Sequence, residues 1–171
     1  MRKKFFFWEI CAVIFICIVG SLMHFVYFWS GSIPWVGTFA AVNESTWEHL
    51  KLAFWSALLF AIFEFFFIRY SVNNYWIAKA ASLFVTAISI VVLFYTYSGI
   101  IGSNYLFIDI AIFVIAVVIG EIVCYRIFKK DRFTSLISTF IAILAILLLA
   151  TCFIVFTSYS PNIALFIPPK E

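Results

Sequence analysis

The chain has 171 residues, 66% of them hydrophobic and 11% charged, with a formal net charge of +3. A soluble domain is about half apolar and about a quarter charged, so this composition excludes a soluble domain, a secreted disulfide scaffold, a cytosolic enzyme and a nucleic-acid reader. Apolar tracts long enough to cross a bilayer recur along the chain, which places it among membrane proteins.

Five such tracts follow in order: residues 5–28, 47–68, 76–97, 107–125 and 135–157. Each holds about 19–24 residues, enough at ~1.5 Å per residue to cross a hydrocarbon core of ~30 Å. Lipid offers the backbone no hydrogen bonds, so the tracts must be helices. All four prolines (Pro34, Pro161, Pro168 and Pro169) fall outside them, as helix interiors require. The expected fold is all-α, a single integral-membrane bundle of five transmembrane helices over residues 1–171.

The first tract follows a basic start, Arg2-Lys3-Lys4, but Glu9 interrupts it and no small-residue cleavage site follows. It therefore reads as a retained span rather than a signal peptide. Arg2, Lys3, Lys4, Arg69, Lys79, Arg126, Lys129, Lys130 and Arg132 fall at one set of ends, against Lys51 and Lys170 at the other. That bias predicts the N-terminus inside and the C-terminus outside, in a cell membrane. Trp8 and Trp76 mark the inner boundary, and Trp29, Trp35 and Trp47 the outer one. Cys11, Cys17, Cys124 and Cys152 are scattered within the spans and read as small packing residues. The C-terminal stretch 158–171 reads as a short outer tail, lying on the surface through residues 163–167.

Small residues mark the faces along which helices approach one another in lipid. The second span carries His49, Ala53, Ala57, Ala61 and Glu64 on such a stripe, and the first carries Glu9, Cys17, Gly20 and His24. An ionisable residue on the small-residue stripe faces the bundle interior, because charge facing lipid costs roughly 2.5–3.5 kcal/mol or more.

Sorted by depth, the ionisable residues form two layers. Glu9, Glu64 and Glu121 lie near the inner side within reach of Arg69, Lys79 and Arg126. They read as structural ion pairs or, alternatively, as a proton path. The outer layer holds His24, Glu44, Glu48, His49, Lys51 and Asp109. Glu48 and Glu64 are ~24 Å apart along one helix, so the layers cannot form one compact site.

Most of the outer layer sits in one segment, Val42-Asn43-Glu44-Ser45-Thr46-Trp47-Glu48-His49-Leu50-Lys51. Ser45 with Glu48 three residues on reads as a capping box. Glu44, Glu48 and Lys51 share a stripe if the helix begins early, with His49 turned about 100° from it. His24 and Asp109 reach the same depth from other spans. Histidine and carboxylate at one depth can bind a divalent metal ion, or act as acid, base and electrostatic partner toward a lipid-linked headgroup. The candidate ligands are His24, Glu44, Glu48, His49 and Asp109, with Asn43 and Ser45 orienting and Lys51 available for phosphate. No H-E-x-x-H, G-x-S-x-G or Gly-rich phosphate loop is present, so no motif assigns a reaction.

Gly20-Ser21-Leu22-Met23-His24-Phe25, then Trp29-Ser30-Gly31 with Pro34, then Val42-Asn43-Glu44-Ser45 through Trp47-Glu48-His49-Leu50-Lys51 resemble a family of uncharacterised small multi-pass membrane proteins of bacteria. The resemblance covers about the first seventy residues and implies no activity. It implies that the polar outer segment is the family's defining element. Phe28 and Ser56 depart from the pattern, where similar proteins carry an acid and a nearby proline. Three readings fit the residues: an outward-facing binding or enzymatic site, a small transporter or channel component, and an accessory subunit of a membrane complex. Membrane lipids, a second copy and a partner membrane protein are the expected partners. Nucleic acid is not.

Overall fold

The computed structural model describes residues 2–130 and 134–169, so Arg132 and Lys170 of the basic count lie outside the described residues, as does the end of the tail. Six α-helices follow in chain order: α1 (Arg2–Trp29), the single turn α2 (Pro34–Gly37), α3 (Thr46–Ile68), α4 (Tyr75–Ile101), α5 (Leu106–Phe128) and α6 (Leu136–Ser158). Five of them are long and apolar enough to cross a membrane. Among the described residues there is no strand. The long helices run past their apolar tracts, as α4 does beyond Tyr97, because a helix need not stop where hydropathy falls. It stops where the backbone turns: Gly102 takes φ 85°, the left-handed region that glycine enters freely, and its N–H closes on Ser98 O.

α1, α3, α4 and α5 form a closed ring, each packing on two of the others, and α6 lies along α4. Consecutive long helices alternate in direction. The near end of the bundle therefore gathers the start of α1, the end of α3, the start of α4 and the end of α5. The distal end gathers the end of α1, α2, the start of α3 and the tail. The ring closes tightly where α4 meets α5. A Cβ on Gly120 would collide with Thr86 Oγ1 and stand 3.0 Å from Ser82 O, so only glycine allows this approach.

The outward surfaces are apolar. Ile10, Ile14, Ile18, Leu22 and Phe25 line the exposed side of α1, while Glu9, Ala12, Ile16 and Gly20 turn inward. This inverts a water-soluble helix and matches a lipid-facing one. The core itself is aromatic and small. Trp47 packs on Phe153 at 4.7 Å between ring centroids and on Phe166 at the same distance. The tail thus folds back through the turn Ala164–Phe166 against α3, held by Phe166 rather than lying free. At the near end Asn74 Nδ2 donates to Ile127 O at 2.8 Å and Lys130 O at 2.6 Å. These bonds tie the residue before α4 to carbonyls at the end of α5 and just beyond it, where a helix leaves its last acceptors open.

Candidate functional site

The helix α3 begins at Thr46, later than a stripe joining Glu44 to Glu48 would require. Glu44 therefore sits in the segment before the helix, and the outer residues divide into separate groups. Asn43 opens the division: its Oδ1 accepts from Ser45 N at 2.8 Å, a local turn that stands Glu44 away from the helix axis. Ser45 occupies the cap position but makes no side-chain cap bond. Glu48 does not reach back to complete the expected capping box. Its Oε2 accepts from Val42 N at 2.9 Å and pairs with Lys51 Nζ at 2.6 Å.

That pair is buried, with Lys51 at 0% side-chain exposure and Glu48 at 3%. Lys51 Nζ also donates to Gly37 O at 2.6 Å and to Thr157 Oγ1 at 3.1 Å. An ammonium has three donors, and all three are used. Glu48 and Lys51 thus latch the loop after α2 to the ends of α3 and α6. Neither presents its charge to a ligand, so the phosphate-contact role expected of Lys51 has no open surface. Asp109 is likewise engaged elsewhere, accepting from Tyr97 OH and from Asn104 Nδ2, the latter at 3.0 Å. It holds the turn between α4 and α5.

Three of the expected ligands do converge. His24 Nε2 lies 3.2 Å from Glu44 Oε2, and His49 Nε2 lies 3.7 Å from the same oxygen. The two imidazole rings are 5.4 Å apart between centroids. One ligand atom from each of the three lies within 4.8 Å of the others. The site is open: side-chain exposure is 26% for His24, 33% for His49 and 60% for Glu44.

The His49 ring is oriented by its own helix. Its Nδ1 stands 2.9 Å from Ser45 O. A carbonyl oxygen only accepts, so the proton is on Nδ1. In the neutral ring Nε2 is then a bare lone pair turned toward the Glu44 carboxylate. Such a pair is held together by a cation between them, either the proton that makes the ring an imidazolium or a metal ion. A metal-bound histidine has this arrangement, one nitrogen on a backbone carbonyl and the other on the ion. Two imidazoles and one carboxylate are also a donor set that zinc and similar divalent ions take, with a position left for water or a ligand.

A second cluster lies at the near end. Lys79 Nζ stands 2.7 Å from Glu64 Oε2, 3.2 Å from Glu9 Oε1 and 3.4 Å from Glu121 Oε2. The three inner acids thus share one lysine, one residue coming from each helix of the ring. Of the basic residues expected near them, Arg69 turns instead to Tyr70 OH at 2.7 Å, and Arg126 is exposed. Tyr75 OH donates to Glu64 Oε2 at 2.9 Å and lies 2.5 Å from Ala61 O, and Ser82 Oγ donates to Glu121 Oε1 at 2.9 Å. Sorting by charge passes over Tyr75 and Ser82, which carry none. Their spacing with Lys79 along α4 was the signal, since four- and three-residue steps put Tyr75, Lys79 and Ser82 on one face.

A family model described as a family of unknown function (DUF6512) matches residues 1–169, and the chain belongs to that family. Neither the curated proteins nor the solved structures contain a match to it.

Proposed function

We propose that this member of a family of unknown function is a multi-pass membrane protein that binds a divalent metal ion at its outward face. His24, Glu44 and His49 are the ligands. The basic residues of the N-terminus and of the loops at the near end support an N-inside orientation, which puts this cluster on the outside. The apolar sides of the long helices support the bilayer setting.

One observation carries the metal reading: His24, Glu44 and His49 each bring a ligand atom within 4.8 Å of the others, with His49 Nδ1 engaged by Ser45 O and its Nε2 turned to the shared space. The ligands come from the end of α1, the loop and the start of α3, so the ion ties the loop to two spans. Asn43 sets the loop turn, and the Ser45 carbonyl orients the His49 imidazole. The Glu48–Lys51 latch fixes the loop's far side. An open coordination position would take water or an oxygen donor such as a headgroup phosphate.

The test is calorimetric titration of the detergent-extracted full chain with Zn²⁺, wild type beside Glu44→Gln and His49→Ala. Stoichiometric binding in the wild type, weakened at least about 100-fold in each variant, is the expected result. Equal binding in all three would remove the site. Because the ligands bind metal only when deprotonated, affinity should fall as pH is lowered.

A further inference from the structure

The near-end cluster holds three acids and one ammonium in a space closed to water. Side-chain exposure is 0% for Glu64, 4% for Lys79, 5% for Glu121 and 6% for Glu9. With every acid ionised, the cluster would carry two uncompensated negative charges where solvent cannot stabilise them. Glu64 is the acid that Lys79 balances, at the shortest of the three distances and with the Tyr75 hydroxyl as a second donor. Glu9 and Glu121 remain.

A carboxyl oxygen of Glu9 lies within 4.8 Å of one of Glu121, so a hydrogen bond between the two groups needs only a small approach. Two carboxylates have no proton to place in such a bond, whereas a carboxylic acid and a carboxylate have one. Glu9 Oε2 is buried and meets no donor among the described residues, and the same is true of Glu64 Oε1. The other groups facing the cluster are the Cys124 thiol of α5, beside Glu9 and Glu121, the Tyr75 hydroxyl and the Ser82 hydroxyl. No second basic side chain enters it among the described residues. The Lys79 ammonium, close to both Glu9 and Glu121, repels a metal dication from the same space. A proton needs no such room.

We propose that Glu9 and Glu121 form a proton-binding site in which one proton is shared between the two carboxyl groups, with Lys79, Glu64 and Ser82 fixing their positions. The site stands independently of the metal reading at the distal end. Phe5, Ile68 and Phe128, all buried, form an apolar plug packed with Tyr75 and Cys124 of the site, the Phe128 ring centroid 5.4 Å from Lys79 Nζ. Protons enter and leave when that plug opens. Glu9 belongs to α1 and Glu121 to α5, so release of the shared proton sets two carboxylates against each other across the α1–α5 contact.

The test is infrared difference spectroscopy of the full chain in lipid nanodiscs at neutral pH. The wild type should show the C=O stretch of a protonated carboxylic acid, shifted in D₂O. Glu9→Gln and Glu121→Gln should each lose it while keeping helical circular dichroism. Glu48→Gln, which removes an acid already matched by Lys51, should retain it. Phe128→Ala should keep the band and exchange it faster. Because glutamine preserves a hydrogen bond to the remaining carboxylate, Glu9→Gln should also melt at or above the wild-type temperature. Absence of a protonated-acid band in folded wild type would overturn the proposal. So would a band unchanged in both glutamine variants, or a melting temperature lowered in Glu9→Gln with the wild-type band absent.

Discussion

At the distal end Lys51 meets Glu48 one to one, with Gly37 O and Thr157 Oγ1 taking its other two donors. At the near end Lys79 meets Glu9, Glu64 and Glu121 together, and two carboxylate oxygens find no donor among the described residues. Both lysines are buried, yet only the first is electrically settled. A buried pair that is matched and fully hydrogen-bonded is a fastener, and one with an excess of one sign is left to be balanced by something mobile. The open cluster of His24, Glu44 and His49 stands apart from both. Among the described residues it has no lysine or arginine in its contacts, and it is open at the distal end, so a soluble cation can supply the missing charge.

Removing the cation from each buried group breaks the contrast most severely. Lys79→Met leaves three buried acids without an ammonium and should cost at least about 3–5 kcal/mol, visible as loss of the monodisperse peak in size-exclusion chromatography. Lys51→Met strands only Glu48 and should sit at the lower end of that range. The double variant Glu48→Leu with Lys51→Met should recover most of the loss, since an apolar pair of similar volume replaces a matched ion pair at little cost. No single acid-to-leucine change paired with Lys79→Met should rescue as fully, because two acids would remain.

Gly120→Ala tests the packing that brings Glu121 to Ser82. The added methyl meets Thr86 and Ser82 and should destabilise the protein by about 1–3 kcal/mol in a thermal melt. The smallest effect on stability is expected at the open cluster. Glu44→Gln changes an exposed side chain and should stay within about 0.5 kcal/mol of wild type in the absence of metal. In the presence of Zn²⁺ the wild type should be stabilised and this variant should not.

The five long helices were legible because lipid forces every backbone group into a helix, and apolar length alone then marks them. The depth of His24 and His49 was legible for the same reason, since rise per residue converts position into height. Rotation and loop path were not. Glu48 shares its stretch with His49 and Glu44, but its direction is set by Val42 and by a lysine whose further partner, Thr157, is 106 residues away. Asp109 reaches the right height but is taken by Tyr97 and Asn104, which the turn after α4 brings to it. The inner acids were legible as a layer beside basic residues. That they share Lys79 depends on closure of the ring by α1 against α5, a long-range contact with no local signature.

The measurement that bears most directly on the proposed His24–Glu44–His49 site is X-ray absorption at the zinc edge of the Zn²⁺-loaded full chain. Two imidazole ligands at about 2.0–2.1 Å with oxygen completing the shell, reduced to one imidazole in His49→Ala, is the expected result. A fully oxygen-coordinated ion, or a spectrum unchanged by His49→Ala and Glu44→Gln, would contradict the assignment of His24, Glu44 and His49 as a metal centre.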